Sequence, residues 1–407
     1  MGIGWPEYTL GDLCRFKYGH MPRKTDLCAD GYPVFSGYHI VGYATTYHYE
    51  EPEIIVVARG VGGTGDVKMS PPKCFLTNLS IVAKVVSSEV DKKFLYYRLA
   101  GPKLWELRTG SAQAQITIDR LQRYELRLPP LTTQRKIAAI LSAYDDLIEN
   151  NLRRIKVLEE MAQNLYREWF VKFRFPGHHH ARFIDSLHGR IPAGWGATVL
   201  GEHLTSLESG KRPKGGAKDL AFGVPSVGAE NVRGIGRHNY QSEKYVSREF
   251  FDGMRKGVAK DGDVALYKDG AYIGRSAYFR DSFPHAQFCV NEHVFLLRTT
   301  GKRLTQNILY LWLQEPDTVS GIRATNANAA QPGINQTGVN GISLIVPPLD
   351  IAGKFDQIAE PSLALIISLA KRNKALRRTR DLLLPRLISG EVDVLELDIA
   401  VSEEDVT

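Results

Sequence analysis

The sequence contains little cysteine and no apolar run long enough to cross a membrane. Its four cysteines, Cys14, Cys28, Cys74 and Cys289, form no CxxC pair and show no zinc-finger spacing to histidine, so neither a disulfide framework nor a structural metal site is indicated. The longest apolar run near the C-terminus, LALIISLA, is far below the roughly 20 residues that span a bilayer. The first residues lack the pattern of a signal peptide. We therefore expect a soluble, cytoplasmic protein with no membrane partner.

Sequence motifs of catalysis are also missing. There is no GK[ST] phosphate loop, no HExxH and no GxSxG. No Pro-Pro pair has the polar-Pro-Pro-aromatic form of an amino-methyltransferase, and Pro316-Asp317 lacks the acidic-x-Lys partner of a restriction nuclease core. The sequence therefore predicts a chain that is not an enzyme and that carries no cofactor or metal of its own.

One glycine-rich run imitates a cofactor loop. Gly60, Gly62 and Gly65 follow a strand-like segment with the spacing G-x-G-x-x-G. A phosphate-binding loop must lead into a helix, but Pro71 and Pro72 follow soon after. We therefore predict a tight strand-turn-strand at this point.

The composition is that of an ordinary globular chain. Of 407 residues, 43% are hydrophobic and 24% charged, which allows two or more separate cores. Lys and Arg number 52 against 45 Asp and Glu, a net charge of +7. This moderate excess favours a polyanionic partner.

The second half of the chain repeats the first. Residues 112–131 align without gaps on residues 330–349 at an offset of 218, and residues 4–12 align on residues 194–202 at an offset of 190. The paired positions include Trp5 and Trp195, Gly19 and Gly210, Phe75 and Phe288, Gln113 and Gln331, and Pro130 and Pro348. The collinear matches predict two similar domains, the second with about 28 extra residues in its loops.

Each half is predicted to be a β-rich body followed by a long helix. The bodies, residues 1–127 and 191–345, contain β-branched runs such as EIIVVA (53–58), LSIVAKVV (79–86) and GISLIV (341–346), which predict strands. FLYYRLAG (94–101) and NILYLWLQ (307–314) predict short helices. The fold class we expect is α+β, with two similar, mainly-β or mixed domains.

After Pro130 the apolar pattern changes to a seven-residue period. Ile148, Ile155, Ala162 and Trp169 recur at this spacing, which predicts a long helix with a coiled-coil seam from about 144 to 172.

The second half carries the same signal. Leu369, Leu376 and Leu383 are seven residues apart, and Pro361 and Pro385 bracket them. This pattern predicts a continuous helix of about 23 residues, so two long helices in one chain can pack on each other.

A Pro- and Gly-containing segment separates the first helix from the second body. It includes three adjacent histidines, His178, His179 and His180. These histidines could bind a metal, but in such a loop they are more simply solvated.

The bodies place Arg, Lys, Gln and Tyr in glycine-broken loops at matching points of both halves. Such side chains contact phosphates as cations or read base edges as hydrogen-bonding groups, although any one of them could equally be a solvated turn residue. The DNA-binding candidates are Lys17, Arg23, Arg59 and Gln113 in the first body and Lys211, Arg212, Lys268, Arg275 and Gln331 in the second.

The sequence resembles the specificity subunits of type I restriction-modification systems over nearly its whole length. The resemblance is carried by the Trp-x(4)-Leu-Gly-acidic openings at Trp5 and Trp195, by Arg59-Gly60, and above all by LPPLTTQRKIAAIL (128–141). The second copy, VPPLDIAGKFDQIA (346–359), has Ala352 where the first has Gln134.

The resemblance implies an organisation for the whole chain. Two target recognition domains would each read one half of a split double-stranded DNA sequence, and the helices would pack antiparallel as a spacer with pseudo-twofold symmetry. The implied segments are target recognition domain 1 (1–127), a first long-helix region (128–175), a linker (176–190), target recognition domain 2 (191–345), a second long-helix region (346–390) and a C-terminal tail (391–407).

The resemblance also implies partners. Two methyltransferase subunits would hold S-adenosylmethionine and the methylating residues, and two helicase-nuclease subunits would join for restriction. Candidates for methyltransferase docking or helix pairing are Gln134, Ile140, Leu158, Trp169, Leu369 and Leu376. Insertion of four residues into the 148–169 helix should then change the gap between the half-sites and leave their sequences unchanged.

Two alternatives stay open at the level of sequence. The chain could be a coiled-coil scaffold whose β domains bind protein or another acidic partner, or a stand-alone DNA-modifying enzyme with an unfamiliar site. Steep weakening of binding by salt, together with preference for one DNA sequence, distinguishes DNA recognition from the scaffold. Methylation or cleavage by the purified chain alone would indicate the enzyme.

Overall fold

The computed structural model describes residues 4–60, 63–101, 104–110, 114–186, 189–217, 220–326 and 333–399. The described chain divides into two compact units. The first unit takes the described residues up to 147 and from 376 onward, and the second takes residues 148–375. We call residues 4–127 the first body and residues 191–345 the second body.

The first body is built on two four-stranded sheets and a two-stranded one. Its strands are β1 (Glu7–Thr9), β2 (Cys14–Tyr18), β3 (Leu27–Cys28), β4 (Tyr32–Phe35), β5 (Ile40–Ala44), β6 (Ile54–Val57), β7 (Val67–Met69), β8 (Phe75–Leu76), β9 (Ser80–Val85) and β10 (Glu125–Arg127). Its helices are α1 (Leu10–Leu13), α2 (Lys92–Ala100) and α3 (Ile118–Gln122). The sheet orders are β2-β9-β6-β7, β3-β5-β4-β8 and β1-β10. In the second of these sheets β4 and β8 run parallel.

After the first long helix, the second unit continues with a hairpin, and the second body follows. Its strands are β11 (Phe183–Ser186), β12 (Gly189–Pro192), β13 (Gly196–Val199), β14 (Leu204–Ser209), β15 (Val224–Val227), β16 (Gly234–Ile235), β17 (Tyr245–Val246), β18 (Asp263–Tyr267), β19 (Ser276–Phe279), β20 (Cys289–Val290), β21 (Val294–Thr299) and β22 (Ser343–Val346). The sheet orders are β11-β12, β14-β21-β18-β19-β16, β17-β15-β20 and β13-β22. The long helices of the chain are α4 (Leu131–Tyr166) and α9 (Leu349–Ile388), and the short ones are α5 (Arg248–Asp252), α6 (Gln306–Leu313), α7 (Pro316–Ala324) and α8 (Gln336–Asn340).

The two bodies share one topology, so the predicted repeat and the α+β fold class are confirmed. The order β2-β9-β6-β7 recurs as β14-β21-β18-β19, and the parallel pair β4·β8 recurs as β15·β20. A close approach between a glycine and two backbone carbonyls also recurs in both bodies. A Cβ at Gly19 would collide with the carbonyl oxygens of Leu76 and Thr77, and one at Gly210 with those of Val290 and Asn291.

One sequence pairing was wrong by a residue. The parallel strands set Val34 beside Phe75 and Ser226 beside Cys289, so Phe75 corresponds to Cys289 and not to Phe288. The sequence match aligned two phenylalanines, but in the fold the backbone ladder determines which positions are equivalent.

The long helices form as predicted, but their bounds differ from the prediction. The first helix spans 36 residues from Leu131 and continues as a single π-helical turn, Arg167–Val171. The second spans 40 residues and passes through Pro361 and Pro385, so the prediction that these prolines bracket the helix was wrong.

The tolerance of Pro361 has a physical cause. A proline inside a helix costs about 3 kcal/mol because it removes a hydrogen bond and crowds the preceding turn. Pro361 and Gln357, whose carbonyl loses its donor, are both exposed, so this side of the helix faces solvent and the carbonyl can bond to water. On the opposite face Phe355, Ala359 and Leu363 are fully buried, and burial of one such large side chain contributes about 1.5–3 kcal/mol.

The helices pair in antiparallel fashion within the second unit. Near one end Asn151 bonds to Asn373, and near the other the rings of Trp169 and Phe355 lie 5.6 Å apart. The predicted seven-residue stripe, Ile148, Ile155, Ala162 and Trp169, is buried throughout. The helices therefore supply a large part of the core of this unit.

Among the described residues, none of the helices has the length and hydropathy that a membrane span requires.

Candidate nucleic-acid interface and helix pair

In the first body Arg59 lies at the end of β6 on a fixed backbone with an exposed side chain. Its backbone is bridged to Gln115, and the Tyr38 hydroxyl donates to the Arg59 carbonyl at 3.4 Å. Gly60, with φ of 141°, leaves room for this tyrosine, since a Cβ there would collide with the Tyr38 hydroxyl. A fixed backbone that carries an exposed guanidinium suits a contact to DNA.

The glycine-rich run is part of a strand-turn-strand, as predicted. Strand β6 ends at Val57 and β7 begins at Val67, with turn residues described from Gly63 to Gly65. In the described residues no helix follows the turn, so the geometry of a dinucleotide loop is not present there.

Sequence reasoning missed two neighbours of this loop. Arg108 donates from Nε to the Thr64 carbonyl at 2.7 Å, and its guanidinium lies 4.7 Å from the ring centre of Trp105. Trp105 is 45% exposed. Both lie more than 40 positions after Arg59: Trp105 is in a short 3₁₀ turn, Leu104–Leu107, and Arg108 directly follows it. An Arg three positions after a Trp was the only signal for them.

The remaining candidates of the first body are exposed but scattered. Lys17 lies on β2 opposite Val82, and Arg23 precedes the 3₁₀ turn Lys24–Asp26. Both side chains are exposed. Among the described residues, no hydrogen bond, ion pair or ring contact joins either of them to Arg59, and Gln113 lies outside the described residues.

In the second body Arg212 belongs to a group of charged side chains that lies next to the backbone of Lys268. Arg212 Nε lies 2.7 Å from Glu292 Oε1, and His293 bridges Glu292 and Asp269 with contacts of 3.2 and 2.7 Å. Lys268 precedes Asp269, and its backbone N–H donates to the His293 carbonyl at 3.0 Å. The structure therefore links Arg212 to the backbone of Lys268 through Glu292 and His293, and the Lys268 ammonium lies 5.0 Å from the ring centre of Phe295. Lys211 is exposed beside Arg212, and Gln331 lies outside the described residues.

Arg275 belongs to a separate basic cleft of the second body. Its guanidinium lies 3.8 Å from the ring centre of Tyr272. The cleft has a volume of about 570 Å³ and is also lined by Arg233, Arg323 and Gln314. Three guanidinium groups around one cleft can hold a phosphate; Arg233 and Arg323 were missed because they lie on separate elements.

Structurally equivalent positions of the two bodies carry different side chains. Arg59 is bridged to Gln115 and Asp269 to Gly333, and these partners are 218 residues apart. A cation in the first body thus corresponds to a carboxylate in the second. The same backbone frame therefore presents opposite charges in its two copies.

The helix candidates occupy buried or half-buried places. Trp169 and Leu369 are buried in the core of the second unit, and Leu158 packs against that core. Ile140 packs against the core of the first unit, and Leu376 is half-buried.

Gln134 fastens the start of α4 to the first body. Its Nε2 donates to the carbonyls of Glu89 and Pro129 at 2.9 and 2.8 Å, and its Oε1 accepts from the Asp91 N–H at 2.9 Å. The side chain is 1% exposed. All of these partners lie in the first body or at the start of the helix, so Gln134 holds the helix start instead of pairing the helices.

The second copy makes an equivalent bond with a different residue. Ala352 replaces Gln134, but Arg303 Nε donates to the Pro347 carbonyl at 2.7 Å and its Nη2 to the Gly194 carbonyl at 2.8 Å. Pro347 is the counterpart of Pro129 at the 218-residue offset. The departure from the family motif at Ala352 is therefore compensated by a basic side chain from the body.

In the first unit a polar contact joins both helices to the body. Asp145 on α4 accepts from the Tyr97 hydroxyl at 2.6 Å and also bonds to Arg380 on α9. Burial and the contact with Asp145 raise the pKa of Tyr97 far above its ordinary value. Tyr97 therefore remains a hydrogen-bond donor at neutral pH.

Comparison with known proteins agrees with this arrangement. A sequence profile described as a type I restriction modification DNA specificity domain matches residues 2–160. The type I restriction enzyme MjaIX specificity subunit of Methanocaldococcus jannaschii is 26% identical over 319 residues, which cover 76% of this chain and 71% of that protein. The C-terminal part of a putative type I specificity subunit of Mycoplasma pneumoniae is 31% identical over 137 residues, 32% of this chain and 91% of that protein.

A solved structure shares the fold. The S subunit of a type I restriction-modification system from M. genitalium superposes with a TM-score of 0.60 at 19% identity, covering 95% of this chain and 96% of that one.

The matched DNA specificity domain, together with duplicated bodies joined to a pair of long helices, indicates a protein of the DNA-specificity class. The chain belongs to the family of type I restriction-modification specificity subunits.

Proposed function

We propose that the chain reads a bipartite double-stranded DNA target for a type I restriction-modification complex, with each body reading one half. The observation that carries the proposal is the shared topology of the bodies combined with different charged side chains at equivalent loop positions, such as Arg59 and Asp269. Two bodies of one topology can dock on DNA in the same way, and different side chains at equivalent loop positions can contact different bases.

The paired helices serve as the spacer and as the docking surface for two methyltransferase subunits. Trp169 and Leu369, two of the docking candidates named from the sequence, are buried in the core. The partner therefore contacts apolar residues that α4 exposes. Leu152, Val157 and Met161 are exposed on this helix, and Val157 and Met161 are four residues apart on one face. An apolar patch on a charged helix favours a protein partner.

The chemistry belongs to the partners in this proposal. S-adenosylmethionine and the methylating residues are held by the methyltransferase subunits, and two helicase-nuclease subunits add cleavage. The present chain contributes sequence recognition and assembly, and in the cytoplasm it acts only within the complex.

Reconstitution tests the proposal. The chain is mixed with type I methyltransferase subunits, and methylated positions are mapped on random DNA with S-adenosylmethionine. We expect a split target with a fixed gap, no methylation or cleavage by the chain alone, and steep loss of DNA binding as salt rises. Methylation by the isolated chain would instead favour the enzyme, and salt-insensitive binding without sequence preference would favour the scaffold.

The spacer role has a test of its own. A four-residue insertion in the 148–169 helix, matched by one in the facing part of α9, lengthens the pair by about 6 Å. The gap between the half-sites should change while their bases remain the same. An unchanged gap in the methylation map would contradict the spacer role.

A further inference from the structure

Three metal-ligating side chains meet inside the second unit. Glu243 Oε1 lies 2.5 Å from His238 Nε2 and also bonds to His285 Nε2, while the Tyr245 hydroxyl donates to Glu243 Oε2 at 2.9 Å. The side chains of His238 and Glu243 are 1% and 6% exposed, and that of His285 is 20% exposed. Two imidazoles thus converge on one oxygen of a buried carboxylate.

The cluster lies where two connections between sheets come together. Residues 236–244 lead from β16 in the five-stranded sheet to β17 in the three-stranded sheet, and residues 280–288 lead from β19 to β20 between the same sheets. His238 and Glu243 belong to the first connection and His285 to the second. A ligand held by all three side chains would therefore cross-link the two sheets.

The two bodies share a backbone bridge near this point. Tyr49 bridges Cys74 in the first body, between the segments that lead from β5 to β6 and from β7 to β8, and Val258 bridges Cys289 in the second body, between the segment that leads from β17 to β18 and the start of β20. Among the described residues, His238, Glu243 and His285 are the one group of three metal-ligating side chains whose donor atoms all lie close to one another. The cluster is thus a feature of the second body.

We propose that His238, Glu243 and His285 form a zinc site that fastens these two connections. Two imidazole nitrogens and a carboxylate oxygen match the donor preference of Zn²⁺. One donor atom from each residue lies within 4.8 Å of the others. Bonds of 2.0–2.1 Å in tetrahedral geometry place donors about 3.3 Å apart, so the side chains need to separate by about 1 Å.

One ring nitrogen of the cluster, the buried Nδ1 of His238, has no hydrogen-bond partner among the described groups. Because Nε2 of this ring donates to the Glu243 carboxylate, an entering ion would replace the Nε2 proton, and Glu243 would then bind the ion instead of accepting that hydrogen bond. The partly exposed side of His285 provides access for the ion and for a water molecule as the fourth ligand.

The test uses the untagged full chain, stripped with a chelator and titrated with Zn²⁺ and with Co²⁺ as a spectroscopic probe. The control is a variant in which His178, His179 and His180 are replaced by Gln, because adjacent surface histidines bind metals weakly. We expect one equivalent of tightly bound Zn²⁺, visible absorption of four-coordinate Co²⁺ and a higher unfolding temperature with Zn²⁺, all retained in this control.

His285→Gln and Glu243→Gln should each weaken Zn²⁺ binding by at least about tenfold and remove the zinc-dependent rise in unfolding temperature. Circular dichroism shows whether these variants fold. Absence of a tight Zn²⁺ equivalent in the wild-type chain would overturn the proposal, as would loss of that equivalent in the control variant. The result is independent of DNA recognition.

Discussion

Asn151 donates from Nδ2 to Oδ1 of Asn373 at 2.8 Å inside the helix pair of the second unit. Both side chains are buried, and Asn373 Nδ2 also lies 3.4 Å from the Ile148 carbonyl. The surrounding seam is apolar. A lone polar pair in such a seam fixes the register of the helices, because a shifted register leaves buried amides without partners.

Removal of one asparagine should cost more than removal of both. Asn373→Leu leaves the Asn151 amide buried and unpaired, so we expect a loss of about 1–3 kcal/mol in the free energy of unfolding. The double variant Asn151→Leu/Asn373→Leu should recover most of this loss. Guanidinium unfolding measures both, with the exposed Asn150→Ala as a control that changes stability by less than about 0.5 kcal/mol. Strict additivity of the two single changes would contradict the pairing.

The helix starts depend on different residues in the two copies. Gln134→Ala removes three hydrogen bonds from the first unit, one of them buried, and Arg303→Ala removes the donor to Pro347 in the second. Each change should lower the free energy of unfolding by about 1–3 kcal/mol. Lys302→Ala, an exposed neighbour, serves as the control. Hydrogen exchange should rise only in the unit that carries the change, and equal exchange in both units would contradict the assignment.

Glu360 should add a pH-dependent contribution to stability. Burial raises its pKa, but hydrogen bonds from Arg280 and from Asn307, the latter at 3.0 Å, outweigh burial and hold the pKa below its ordinary value of 4.5. A carboxylate with a lowered pKa in the folded state stabilises the fold above its unfolded pKa and loses this effect as the pH falls.

The difference in free energy of unfolding between the wild type and Glu360→Gln should therefore be constant near neutral pH and shrink below about pH 4.5. Urea unfolding at a series of pH values measures it. A difference that grows with acid would contradict the assigned sign.

Arg59→Ala should weaken recognition of one half-site and leave the other unchanged. Loss of one good base contact costs about 1–3 kcal/mol, so methylation of the cognate target should fall about tenfold, and substitutions in only one half-site should become tolerated. The control is Arg123→Ala, an exposed residue that pairs with Asp119 at 2.8 Å. An equal loss on every DNA sequence would make Arg59 a phosphate contact instead.

Much of the fold could be predicted because it repeats. The seven-residue stripe predicted α4, and the collinear matches predicted two bodies of one topology. The bounds of α9 could not be predicted, because proline propensity acts locally while the burial of Phe355 and Leu363 is a property of the assembled core. The one-residue error at Phe75 had a similar cause, since the strand ladder determines which residues are equivalent.

The site was harder to predict than the fold. Arg212 and Lys268 are 56 residues apart in the sequence, and Glu292 and His293 link the Arg212 side chain to the backbone of Lys268. His238 and His285 are likewise far apart, and no local spacing indicates that they meet at Glu243. Contacts of this kind arise from the order of strands in a sheet, which a single sequence does not encode in any short motif.

An exchange of bodies tests the central claim most directly. Residues 4–127 are replaced by the first body of a relative with a different target, and methylated sites are mapped with the same methyltransferase subunits. Recognition by independent bodies predicts that one half of the target changes while the other half and the gap between them stay the same. A change in both halves, or in neither, would contradict it.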